Sequence, residues 1–536
     1  MKTLATFILL WIFADHTSMV LLPANPPPLF GDTDNPEAKE IFDRALLLLH
    51  NFEYPDAREL FREAQQSEPT YALAYWGEAM TYNHPVWHNQ DQASAREVIN
   101  RFKDLSKDTP PAPASLDYDL MNSLDLLYGE GTKADRDKAY SDFMSTLFEK
   151  YKDSHEVALF YALSLLGLSE GWDTELCNRA AGIAGAILRK DPTHPGALHY
   201  FIHAQDHPEY AKLAWDQANE YARAASYSGH ALHMPSHIYL ALGLWDDVVR
   251  SNEVSWRAGV DRKQAKQLDN NALNYHAHWW LQYGYLQQGR FEKAREILNS
   301  QLRFTRELSS VVARNHFVIM RGHYVMETND WENAVATENV KDEDLRLEIR
   351  TLDRFLRGAM AYRKGDGRTL EKTIGQIEAD IRNAAQRKMM SEGVAQCGAL
   401  SSPQRAINQA TILLEELLGV DAFMTRDHLS ARAHFKKAID LEEVNGHFYG
   451  PPEILKPAHE FYGEFLLATG HPEQALSSFE KSLEKAPGRN QSLHGLKVAS
   501  YLAGNREKET EAIEKLKNNI RHAGAPPSIN GFFILP

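Results

Sequence analysis

Cysteine is nearly missing from this chain: two occur in 536 residues, Cys177 and Cys397. Without a CxxC pair, thiolate zinc sites and thioredoxin-like redox chemistry are poorly supported. Sequence leaves open whether the two thiols pair in an oxidising compartment. Basic charge is in the minority, with 58 Lys and Arg against 73 Asp and Glu, a net charge of −15. Such a surface repels phosphate backbones and anionic lipid, which argues against a nucleic-acid partner; its plain reading is solubility. Long apolar runs are also scarce. The run from Leu4 to Ala14, behind Met1-Lys2, is shorter than the stretch of about 20 apolar residues that a bilayer span needs. A basic start and a short apolar run have the form of a secretory signal peptide or N-terminal anchor, taken here as residues 1–22, with a Pro-rich linker at 23–34. The expected location is therefore extracytoplasmic, secreted or periplasmic, with no membrane contact beyond that anchor. Asp15-His16 interrupts the run, and the cleavage point stays open. Also absent are HExxH, a GxSxG elbow, a P-loop and GxGxxG, so no nucleotide cofactor is expected and catalytic residues are unassigned.

Strand-like alternation is rare, whereas helical periodicity punctuated by Gly or Pro runs throughout. The clearest stretch begins at Lys456 and reads KPAHEFYGEFLLATGHPEQALSSFEKSLEKAPGRN. Gly463 is small where two helices must approach, Gly470 ends the first helix, Ala475 and Phe479 share a face of the second, and Pro487 closes the unit. This resembles the tetratricopeptide repeat, a 34-residue helix hairpin. Phe52 to Pro69 matches as well, through Tyr54, Ala57, Phe61 and Ala64. Gly243-Leu244-Trp245 and Gly289-Arg290-Phe291 repeat the glycine-then-aromatic corner between paired helices. The resemblance implies an all-α fold, a TPR-like α-solenoid wound as a right-handed superhelix. Residues 35–522 form one continuous array with irregular loops near 108–114 and 389–403, and 523–536 form a tail.

Histidine is where the chemistry concentrates. Nine of the 23 lie between residues 194 and 278, where an even spread would place between three and four. His199 and His203 are four apart in HPGALHYFIHAQDHP, and His233 and His237 are four apart in HALHMPSHIYLALG. An i,i+4 pair presents both imidazoles on one helix face, a bidentate grip on Zn, Cu, Fe or Ni. His276 follows in NYHAHWWLQYGYLQQG. In tetratricopeptide proteins the first helix of each hairpin lines the concave surface through positions 2, 5 and 9. Counting back from Gly243 as position 15 puts His233 and His237 at 5 and 9, and counting back from Gly289 puts His276 at 2. With His199 and His203 in the same register, three successive hairpins aim five imidazoles into one groove. Ridge spacing of about 8–10 Å between packed helices makes that convergence feasible.

The bland readings stand beside this one. A lone His is more often a core hydrogen-bonder than a ligand, and Met234, beside His233, more often fills a gap than softens a copper site. Tyr200, Trp279, Trp280 and Tyr283 either wall a pocket or simply pack between helices. His459 reads as structural. Pro85 separates His84 from His88, so those two need not share a face. Asp206 sits where its carboxylate can orient a ligand imidazole.

The phrases HPGALHYFIHAQDHP, HALHMPSHIYLALGLWDD, AYWGEAMTYNHPVW and KPAHEFYGEFLLATG resemble a branch of exported, histidine-rich tetratricopeptide proteins. That resemblance makes His84, His199, His203, His233, His237 and Asp206 the natural functional candidates, and it implies no reaction. Two readings follow. In the first, His199, His203, His233, His237, His276 and His84 supply ligands for a transition metal, copper first and zinc or iron next. The protein then leans to a copper- or iron-dependent oxidase or hydroxylase acting on a small molecule in the groove. In the second, the groove is a non-catalytic scaffold that docks a peptide or protein partner.

Overall fold

The computed structural model describes residues 31, 33–108, 110–169, 172–391, 403–446, 449–523 and 533–534. The expected signal or anchor at 1–22, nearly all of the linker, the loop around 392–402 with Cys397, and most of the tail lie outside the described residues. From Pro36–His50 to Arg506–Asn519 the chain is a succession of antiparallel helix hairpins. Among the described residues, the strand content is one two-stranded ribbon, Asn83–His84 paired antiparallel with Asn89–Gln90. No described helix is long and apolar enough to cross a membrane.

Local chemistry explains the punctuation. Asn35 caps the first helix by accepting from the N–H groups of Glu37 and Ala38, and Pro36 occupies the first turn, where its missing N–H costs nothing. The corners expected at Gly243, Gly289 and Gly470 are left-handed, with φ of 69°, 66° and 78°, a region that a side chain disfavours. Hairpins then interlock by setting an aromatic ring under a glycine. A Cβ on Gly463 or Gly495 would stand 2.8 or 2.2 Å from the Phe479 ring, and one on Gly77 would stand 2.2 Å from Phe61. The same device at both ends of the chain is what the repeat pattern called for.

The array does not leave its concave face open, as a simple groove would. The indole N–H of Trp245 donates to the Gly488 carbonyl at 3.0 Å. The Asn490 backbone N–H donates to Gln287 at 2.8 Å, 203 residues away in sequence. The segment ahead of helix Ala458–Ala468 also folds in, and a Cβ on Gly450 would meet Trp280 at 2.5 Å. Even two residues of the expected tail are buried. Phe533 packs on Trp331, Tyr362 and Phe461, and the Ile534 N–H donates to Glu464. The segment around residues 449–453 thus folds over the histidine-bearing helices and, with helix Leu347–Arg363, walls a cavity beside them.

Candidate metal centre

Three short helices carry the histidines inward. Pro195–Ala204 presents His199 and His203. Gly229–His233 and Pro235–Ala241 present His230, His233 and His237. Pro235 interrupts the hydrogen-bond ladder, yet Met234 keeps helical angles (φ −53°, ψ −36°), so His233 and His237 still fall one turn apart on one side. His276 comes from the first turn of Tyr275–Gln287.

These side chains gather into two triads: His199, His203 and His230 in one, and His233, His237 and His276 in the other. Within each triad the ring nitrogens offered lie within 4.8 Å of one another. His199 and His233 are fully buried, His203 and His237 are 5% exposed, and His230 and His276 are half-buried. The triads abut. The His203 and His237 rings are 5.7 Å apart between triads, closer than His203 and His230 at 6.5 Å within one.

In three of the six rings a hydrogen bond on the far side fixes where the proton sits. Nδ1 of His237 is 2.5 Å from the Asp206 carboxylate, which only accepts, so Nδ1 carries the hydrogen. Nδ1 of His233 is 2.6 Å from Oδ1 of Asn252. The Asn252 amide nitrogen donates to the Val248 carbonyl, which assigns Oδ1 as an acceptor and Nδ1 of His233 as a donor. Nδ1 of His199 donates to the backbone carbonyl of His50 at 2.6 Å. In all three rings Nε2 is left as a bare lone pair, provided the ring is neutral. Burial holds all six imidazoles below their ordinary pKa, pushing His233 and His237 down to about 3. Neutral imidazole is the form that binds a metal.

The consequence is most acute between His233 and His237, whose Nε2 atoms face each other at 3.2 Å. Neither has a proton to share. Two nitrogens bound to one ion at about 2.0–2.1 Å stand roughly 2.9–3.4 Å apart at angles between right and tetrahedral. Their spacing is that of a shared cation.

Aromatic rings wall the cluster. Trp280 lies 4.4 Å from the His237 ring and 4.9 Å from that of His233. Phe52 lies 4.3 Å from His199 and 5.5 Å from His230. Phe52 takes a left-handed φ of 57°, a conformation costly for a bulky residue that tertiary contacts must hold. A cavity of about 350 Å³ opens beside both triads, touching His203, His230, His237 and His276, with Trp87, Trp279, Arg346 and Glu453 among its other walls.

The other candidates fall in different places. His84 is not brought to either triad; its ring stacks on Tyr54 at 4.0 Å, and its Nε2 bonds to the Thr81 carbonyl. It belongs to the small ribbon, where Pro85–Trp87 form a single turn and His88 is left-handed. Tyr283 packs against Arg489, and the Tyr200 hydroxyl bonds His50. His459 is buried between Ser478 and Glu443, and Met234 is core. Sequence reasoning missed His230, Asn252 and the His50 carbonyl. The signal for His230 was present, because the count that places His233 at position 5 puts residue 230 at position 2.

No protein-family model matches the chain, and no curated protein matches it. Among solved structures, it is similar to the human IFIT1 dimer with m7Gppp-AAAA, at 13% identity over 93% of this chain and 96% of that one, TM-score 0.36. It is also similar to the APC/C hetero-tetramer Cut9–Hcn1, at 12% identity over 95% and 76%, TM-score 0.37. A third is the P58(IPK) TPR domain, at 11% identity over 88% and 99%, TM-score 0.21. Its own glycine-cornered helix hairpins make the chain a TPR-like α-solenoid. Overlaps at these scores say nothing about its ligand, and the capped RNA belongs to IFIT1.

Proposed function

We propose that the protein binds a transition metal through His233, His237 and His276, copper ranking ahead of zinc and iron, and presents it to a small molecule in the adjoining chamber. The observation that carries this reading is the 3.2 Å approach of two Nε2 atoms whose ring hydrogens are committed to Asp206 and Asn252. A cation between them turns a lone-pair repulsion into two bonds. Ligation by imidazole without thiolate suits copper, zinc or iron. Three protein ligands leave a fourth coordination position, the mark that separates a catalytic metal from a structural one. His237 and His276 both border the cavity, so that position is within reach of solvent-borne molecules. Oxidase or hydroxylase chemistry is the reaction class we assign. A peptide-docking scaffold has less support, since Gly450 and residues 488–490 already pack on Trp280, Trp245 and Gln287 of the helices a peptide would meet.

Elemental analysis of untagged protein tests the assignment, beside a His203→Ala/His237→Ala double variant. The expected result is about one to two metal equivalents in the wild type, none in the variant, and a melting temperature that rises with added metal. A metal-free wild type that also takes up no added copper, zinc or iron sinks it.

A further inference from the structure

The second triad has no role in a single-ion site. His199, His203 and His230 bring their own nitrogens within 4.8 Å, and they do so on a separate frame. The His50 carbonyl holds the His199 Nδ1–H, which turns a bare Nε2 toward Nε2 of His230 at 3.1 Å. Nε2 of His203 is buried and has no hydrogen-bond partner. A buried nitrogen left bare is costly, and folds retain such atoms where something else completes them. The strained Phe52 turn begins two residues after His50, so the carbonyl that orients His199 and the ring that abuts it are set by one backbone feature.

We infer that the protein holds two metal ions side by side, one in each triad, forming a paired centre that opens on the cavity both triads border. This rests on the metal-binding reading above and goes beyond it in number, position and ligand set. The sequence HALHMPSH interleaves the two sites: His230 serves one triad, and His233 and His237 serve the other. One run of chain therefore fixes both ions relative to each other. The His203 and His237 rings meet between the triads at 5.7 Å, and both of these ligands border the cavity. Ions in such pairs stand about 3.5–4 Å apart and can hold two oxygens of one bound molecule at once.

The test is to load the full chain with Cu(II), count copper by mass spectrometry, and integrate its electron paramagnetic resonance signal. The wild type should hold about two coppers per chain, with a signal broadened or cancelled below that content because neighbouring spins couple. His230→Ala, at a half-buried position, should keep about one copper at full signal intensity. His276→Ala should do the same for the opposite triad. His230→Gln, checked by circular dichroism, guards against a folding defect. One copper per wild-type chain, unchanged by either His230 substitution, overturns the paired centre while leaving the metal site intact. Two coppers with undiminished, independent signals overturn the adjacency. No copper at all removes the metal reading itself.

Discussion

Helix Tyr275–Gln287 belongs to two buried polar clusters built on opposite principles. Near its start, His276 joins the triads. Further along, Tyr283 and Gln287 meet the Arg489 segment of the C-terminal hairpins. There Arg489 bonds Glu460, Glu327 and the Tyr283 hydroxyl, while Lys456 bridges Glu460 and Glu464. Burial drives the Glu460 carboxyl up, but Arg489 and Lys456 outweigh it and hold it down at about 2. Cation meets anion, donor meets acceptor. Glu416 is an exception: burial holds its carboxyl well above the ordinary range, and neither of its oxygens has a hydrogen-bond partner. Between His233 and His237, by contrast, acceptor meets acceptor, with no charge of opposite sign between them. A satisfied network holds hairpins together; an unsatisfied one of neutral donor atoms marks where a ligand completes the structure.

Histidine itself is not the distinction. His50 and His194 are as buried as the triads, yet both bond Glu156 at 2.5 and 3.1 Å. Burial alone would raise the Glu156 pKa, and the two imidazoles outweigh it. That cluster is anchored by a carboxylate, although His194 Nδ1 has no partner, and it stands behind His199 as support through the His50 carbonyl.

Breaking the satisfied network should have the largest effect. Arg489→Ala strands Glu460 and Glu327 in the interior, and should cost about 3–5 kcal/mol in chemical denaturation, the usual penalty for halving a buried ion pair. If the two clusters are energetically separate, any folded Arg489→Ala protein keeps its metal stoichiometry; loss of metal at full folding would erase the comparison. Next comes Asp206→Asn, which removes the carboxylate that orients His237. The expectation is about 10- to 100-fold weaker metal binding with little change in the melting temperature of the metal-free protein. An unchanged affinity would show that Asp206 does not act through that ring.

The mildest perturbation is pH, read on the metal-free protein. Burial pushes His323 down to about 3 and His494 to about 4, far from the triads in sequence. The unfolded chain takes up protons near its ordinary value of about 6.5, while the folded rings refuse them. Stability is therefore full above that value and falls as pH drops toward 4. Melting temperature should decrease steadily over that interval, and His323→Gln should flatten part of the slope. A flat profile in the wild type would contradict the burial of these rings.

Much of the fold was legible in residues. Glycine corners at 243, 289 and 470, and the Phe479 ring set under Gly463, follow from local sterics that any register-keeping hairpin must obey. The candidate site was legible in part. His233, His237 and His276 meet because their register positions face one way, and His199 with His203 for the same reason. His84 was not placeable, since Pro85 starts a single turn inside a ribbon and swings it onto Tyr54. Asn252 and the His50 carbonyl were invisible because they act through atoms that carry no motif.

Sequence by itself determined that the chain is helical, where its hairpins turn, and that one stretch concentrates imidazoles on inward-facing positions, because those are properties of neighbours three or four residues apart. Tertiary structure alone decided that the imidazoles divide into two triads, that His230 completes one of them, that the segment near 450 folds over the cavity beside both, and that residues 488–490 dock on Trp245, Tyr283 and Gln287. Those contacts join segments as much as 243 residues apart, where periodicity carries no information and only the packing of whole hairpins sets which lone pairs face one another.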